Sequence, residues 1–200
     1  DHRDLHSFPT RRSSDLTIVL VAKDDPEKLL DLKNQPNELP GNYFDYYFRN
    51  PSKRSLAIPV DLWRVNAIMD RKTSDPYIPV FEESQESYKI AGTAVFSRNR
   101  MVGELSMDET ISLALIRGTD NGYLTVALGK SEYVAFKNVR SKTRVQPKLS
   151  TDGRLTFDVK TEITGNMIEN FPHRQTLRNE EKEIERQAAM LIKREIRNLI

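Results

Sequence analysis

Two hundred residues are enough to bury a hydrophobic core without covalent staples, in one domain or two. The 31 basic and 29 acidic residues leave a formal net charge of +2, so bulk charge points neither to a nucleic acid nor to an acidic or basic ligand. Cysteine is absent, which excludes disulfides, zinc ribbons and thiol catalysis but leaves the redox compartment open.

Residues 1–16, DHRDLHSFPTRRSSDL, share neither periodicity nor composition with the rest. The run HSFPTRRSSDL resembles the accidental translation of a sequencing adapter joined to an incomplete gene, and it is set aside as a non-native or disordered tail. Arg11 and Arg12 are not followed by the apolar region an export signal requires. Thr17 to Ala22 (TIVLVA) reads as a buried strand and is far short of the roughly twenty apolar residues that cross a bilayer. Asp25 and Pro26 then offer an N-cap and a first-turn proline for a short helix through Leu32.

Gly41 to Phe48 (GNYFDYYF) is dense in aromatics, which suits packing of a short amphipathic helix better than a ligand platform. Pro59 to Asp70 predicts a helix burying Leu62, Val65 and Met69, with Trp63 beside them. The prolines at Pro76 and Pro79, followed by polar Glu82 to Ser87, mark a domain boundary or a crossover.

From Tyr88 the pattern is richer. Ile90, Gly92, Ala94 and Phe96 alternate with Lys89, Ala91, Thr93 and Val95, as in a strand covered on both sides. Ser97 to Arg100 reads as a loop of about four residues leading to a second strand through Leu105. Ser106 and Glu109 fit a capping box, and Gly118 fits a left-handed helix end. A strand over Tyr123 to Leu128 and another from Tyr133 follow. The Gly129-Lys130-Ser131 triplet between them is not a phosphate-binding loop, because that motif's first glycine would fall at Leu124.

The next hairpin predicts its own register. A two-residue Asp152-Gly153 turn would set apolar positions of one arm against polar positions of the other. A loop of Thr151, Asp152 and Gly153, with glycine at a bulge, instead sets Val145 opposite Val159 and Lys142 opposite Glu162. The basic alternation Arg140, Lys142, Arg144 and Lys148 then meets acidic cross-strand partners and reads as a solvated face. The last helix is expected from about Thr176, with an apolar stripe through Leu177, Ile184, Ala188, Leu191, Ile192, Ile196 and Leu199. It reaches Ile200 without a cap, so the natural domain is expected to continue.

Chemistry is sparse. His173 is the only histidine outside the tail, leaving no histidine pair for a metal or a triad. The adjacent acids Asp24-Asp25 and Glu82-Glu83 have no convergent partner in sequence. No catalytic, cofactor-binding or metal residue is assigned, and no cofactor is expected.

The residues Gly92 to Thr110, GTAVFSRNRMVGELSMDET, with the leucine-rich helix ending at Arg117-Gly118, resemble the Ger(x)C (GerAC-like) family. The likeness extends to KTRVQPKLSTDGRLTFDVKTEITG and back through LVAKDDPEKLL and DPYIPV, so it covers nearly everything from Thr17 onward. The resemblance implies an α+β fold of mixed β-sheets flanked by helices, in two or more domains. Residues 17–82 would be part of an N-terminal domain. Residues 88–200 would be a C-terminal region, divided into a strand-hairpin-helix unit (88–130) and a hairpin with a long helix (131–200). It also implies a non-enzymatic lipoprotein subunit of a spore nutrient germinant receptor. Its partners would be integral-membrane A and B subunits, and an upstream lipidated cysteine would hold it on the outer face of the spore inner membrane. The competing readings are a small-molecule-binding or hydrolytic envelope lipoprotein and, behind it, a nucleic-acid module.

Overall fold

The computed structural model describes residues 17–31, 40–50, 57–70, 75–84, 87–97, 100–171 and 178–199. The fold is α+β. A four-stranded mixed sheet has the order β1-β2-β3-β4, and a three-stranded antiparallel sheet has the order β5-β6-β7.

The apolar run from Thr17 is divided between two partners. Only β1 (Val21–Ala22) joins the first sheet, parallel to β2 (Tyr77–Ser84). The residues before it bond to the approach of a helix instead: Val19 N–H donates to Val60 O at 2.9 Å, and Leu62 N–H donates to Thr17 O at 2.9 Å. The expected single strand is therefore shorter, because its backbone changes neighbours midway.

Helix α1 (Pro26–Asp31) starts after Asp25, whose carboxylate accepts from Glu27 N–H at 3.1 Å, and α2 (Pro40–Arg49) follows. Helix α3 (Leu62–Met69) begins later than Pro59, since Asp61 is its cap and accepts from Arg64 N–H at 2.7 Å. Its expected buried face is realised only at Val65; Leu62 and Met69 are exposed, because the helix meets the core along a narrow line beside Val60, Tyr77 and Ile78.

The proline-rich passage holds a strand where the sequence suggested a break. Pro79 is fully buried in β2 and lies opposite Thr93, just before the two positions paired to β1. Its missing N–H therefore falls where no β1 partner needs it. Strand β2 pairs along its whole length with β3 (Ser87–Ser97), so the first sheet draws on both sides of this passage.

Strand β3 also pairs with β4 (Arg100–Leu105), down to Ser97 opposite Arg100, which makes the loop tighter than the four residues expected. Gly92 is required here: a Cβ on it would overlap the Leu105 carbonyl. Helix α4 (Met107–Arg117) follows at once, and both halves of its capping box form between Ser106 and Glu109. Gly118 has φ 97°, as a glycine permits, but ψ 113° puts it outside the left-handed helical well. The helix end is satisfied by the Thr119 hydroxyl, which donates to Ala114 O at 3.1 Å.

Helix α4 packs on both sheets. Toward the first, the Thr110 hydroxyl donates to the Thr93 hydroxyl at 3.1 Å, both fully buried, and Leu113 joins the cluster of Val60, Val65, Tyr77 and Ile78. Toward the second, Leu115 is 1% exposed among Leu124, Val126, Val134 and Val139. That sheet consists of β5 (Gly122–Ala127), β6 (Tyr133–Leu149) and β7 (Leu155–Phe171). Helix α5 (Arg178–Leu199) closes the cluster with Ile184, Ala188, Leu191 and Ile192; Thr176 and Leu177 lie outside the described residues.

The hairpin register is the expected one. Val145 faces Val159, Lys142 faces Glu162, and the last pair is Leu149 with Leu155. Ser150 N–H donates to Arg154 O and Gly153 N–H to Ser150 O, both at 2.9 Å, around a loop in which Gly153 has φ 82°.

Candidate interaction surfaces

The aromatic segment is used for packing. Phe44 and Phe48 are buried; Phe44 lies 5.0 Å from the Phe81 ring and 5.4 Å from Tyr88, and the Tyr43 hydroxyl donates to Tyr88 O at 3.0 Å. Burial, with Tyr43 beside it, pushes the Tyr47 phenol up to about 12, so it stays protonated at neutral pH. Helix α2 is in this way fastened to β2 and β3.

One acid of each adjacent pair, Asp24 and Glu82, ties strand ends together. Asp24 accepts from Glu83 N–H at 3.1 Å. Glu82 lies 2.9 Å from Lys89 and 3.3 Å from Lys23, and Lys23 also bonds Glu104 at 3.1 Å. The Lys89 hydrogen bond holds the Glu82 carboxyl below its ordinary value, so it is a poor proton donor at neutral pH. Among the described residues no group of three His, Cys, Asp or Glu side chains is placed to hold a metal ion. His173 lies outside them. The Gly129 to Ser131 triplet turns between β5 and β6, with Leu128 N–H and Gly129 N–H both donating to Glu132 O.

Two surfaces remain. The first is a shallow polar cleft of about 560 Å³ lined by Asp120, Asn121, Asn138, Arg140, Thr164, Gly165 and Asn166. Asn121 (φ 59°) and Asn138 (φ 54°) are the non-glycine residues with positive φ among those described, and β5–β6 pairing brings them together. Both positions had a signal. Asn121 precedes Gly122, a turn pair, and the apolar alternation Val134, Phe136 slips to Val139, which marks the bulge between Lys137 and Arg140. Two of its lining residues form an exposed ion pair, Arg140 Nε to Asp120 Oδ1 at 3.1 Å. Three amides and a hydroxyl suit a small polar ligand, but nothing here activates a nucleophile.

The second surface is the distal half of the β6–β7 hairpin. One face carries the basic alternation: Lys142 faces Glu162, Lys148 Nζ lies 3.0 Å from Asp158, and Arg144 meets Lys160 rather than an acid. The opposite face is apolar and bare, with Val145, Leu149, Leu155 and Phe157 between 54% and 74% exposed.

The family model described as "Spore germination B3/ GerAC like, C-terminal" matches residues 91–200, more than half of the chain. This chain belongs to the GerAC-like spore germination family. The family's N-terminal model, "Spore germination protein N-terminal domain", matches residues 8–83. Spore germination protein B3 of Bacillus subtilis (strain 168) is 29% identical over 89 residues, which are 44% of this chain and 24% of that relative. The crystal structure of the GerBC protein superposes with a TM-score of 0.63 at 19% identity, covering 91% of this chain and 51% of that one. The chain thus spans about half of its solved relative and a quarter of the curated one, and the likeness to GerBC establishes a shared fold. No helix of the described residues is long and apolar enough to cross a membrane.

Proposed function

We propose that this chain belongs to the C subunit of a spore nutrient germinant receptor and acts there as a non-enzymatic accessory or assembly subunit. The observation that carries the reading is the succession of both family regions along one chain, residues 8–83 and 91–200. Asp24 and Glu82 are engaged at strand ends and Asp25 caps α1, and the distal hairpin presents a bare apolar face, which suits binding between proteins better than turnover. Its partners are the integral-membrane A and B subunits. Its place is the outer face of the spore inner membrane, reached through a lipidated cysteine upstream of Thr17. Expression of the intact gene in spores lacking their own C subunit tests this. Nutrient-triggered germination should return, and the A and B subunits should co-purify with the protein; failure of both discards the reading.

A second reading, binding of a small polar ligand, draws on the cleft at Asn121 and Asn138. Heteronuclear NMR titration with free sugars and amino acids checks it. Shifts at Asn138, Arg140 and Asn166 support it, and unchanged spectra at millimolar ligand remove it.

A further inference from the structure

The sheet face covered by α4 continues well past the end of that helix. Val139 and Ile163 belong to the buried cluster, the Ser141 hydroxyl accepts from Thr119 N–H at 2.7 Å, and the Thr143 hydroxyl, 3.0 Å from that of Thr161, reaches Leu115 O at 3.4 Å. Pairing then runs without a register shift from Arg140 opposite Thr164 to Leu149 opposite Leu155. Alternation therefore keeps Val145, Pro147, Leu149, Leu155, Phe157 and Val159 on this same face. Cover stops at Thr143 while the apolar pattern goes on: Phe157 is 60% exposed and Leu149 74%.

We infer that this face is the seat of an apolar-faced helix lying beside α4 in the same layer, supplied by the additional polypeptide that full-length family members carry. From Thr143 to Leu149 the strand advances by about 20 Å. That is room for at least one helix, about 10 Å across, next to α4. The solved relative holds about as much chain again as the part matched here, since this chain covers 51% of it. A lipid surface fits less well. Lys142, Arg144, Lys148 and Lys160 alternate onto the opposite face, so a bilayer resting on the apolar side gains little from anionic headgroups.

The cysteine-free sequence supplies the test, because one introduced thiol is the only one in these residues. Phe157→Cys, Leu149→Cys and, on the opposite face, Lys160→Cys are placed in the 200-residue chain and in the mature protein purified from the intact gene, with any other cysteine there changed to serine except the lipid-bearing one, whose thioether does not react with maleimide. Maleimide labelling is then timed. The expected result is a rate for Phe157→Cys and Leu149→Cys at least about tenfold lower in the mature protein, as for groups exposed only by local opening. Lys160→Cys should label equally in both. Equal rates at all three positions overturn the inference. So does slowing that grows with the concentration of the 200-residue chain, which assigns the face to a second copy. Slowing only with phosphatidylglycerol vesicles assigns it to a bilayer and overturns it as well.

Discussion

The junction around α4 and the distal half of the β6–β7 hairpin are written in the same alphabet of alternating apolar residues, and they meet opposite fates. At the junction Ala94 and Leu115 are 0% and 1% exposed, and Thr93 and Thr110, polar as they are, are equally buried because their hydroxyls satisfy each other. On the hairpin, Leu149 and Phe157 follow the same period in a register just as regular, yet stand in solvent. Alternation decides which face of a strand a side chain takes. Whether that face is covered depends on a second layer, which α4 and α5 provide for only part of the sheet.

The sharpest way to break the contrast is Gly92→Ala, whose Cβ would overlap the Leu105 backbone carbonyl, while nothing lies within 4 Å of a Cβ at Gly103. Urea denaturation should show a loss of at least about 3 kcal/mol for Gly92→Ala, the top of the usual overpacking range. Gly103→Ala should stay within about 0.5 kcal/mol of the parent. Next, Leu115→Ala should cost about 3 kcal/mol through its cavity, whereas Leu149→Ala should cost less than about 0.5 kcal/mol. Equal losses for the two leucines would mean that the hairpin face is covered in solution.

Smaller effects test the polar half of the junction. Thr110→Val leaves the Thr93 hydroxyl buried and alone, for an expected loss of about 2 kcal/mol, and adding Thr93→Val should recover part of it. Ser106→Ala removes the acceptor for Glu109 N–H and should cost about 1 kcal/mol, read as a lower midpoint in thermal melts.

Smallest is the acid response of α5. The Arg186 hydrogen bonds, with help from Gln187, lower the Glu183 carboxyl from 4.5 to about 2. A carboxyl depressed in the folded state contributes stability above its unfolded value and loses it as pH falls through the folded one. Helicity followed by circular dichroism should therefore decline between about pH 4.5 and pH 2. Glu183→Gln should flatten only the small share of that decline due to this exposed pair.

Local chemistry explains what was legible. The capping box at Ser106 and Glu109, the Asp152-Gly153 loop and the pairing of Val145 with Val159 each depend on residues close in the chain, so their signals survive in sequence. Strand β2 was hidden because Pro76 and Pro79 read as breakers, and only the limited pairing to β1 makes Pro79 tolerable there. The exposure of Leu62 and Met69 was equally hidden, since an apolar helical stripe does not state how much of it a neighbour reaches. The polar cleft arises where two distant turns meet, although the slip from Phe136 to Val139 marked one of them.

By itself the sequence determined the family likeness, the α+β class, the capped helix and the hairpin register. The capped helix and the hairpin register follow from short-range periodicity, turn residues and side-chain to backbone bonds, while the likeness rests on the stretches from Gly92 to Thr110 and beyond, and the fold class is what that likeness implies. Only the tertiary structure decided that α4 serves two sheets at once, that β2 threads prolines through a buried position, and that half of an apolar hairpin face has no cover among the described residues. Those outcomes depend on which surfaces meet across long chain separations, and burial is a property of the pair of surfaces rather than of either pattern alone.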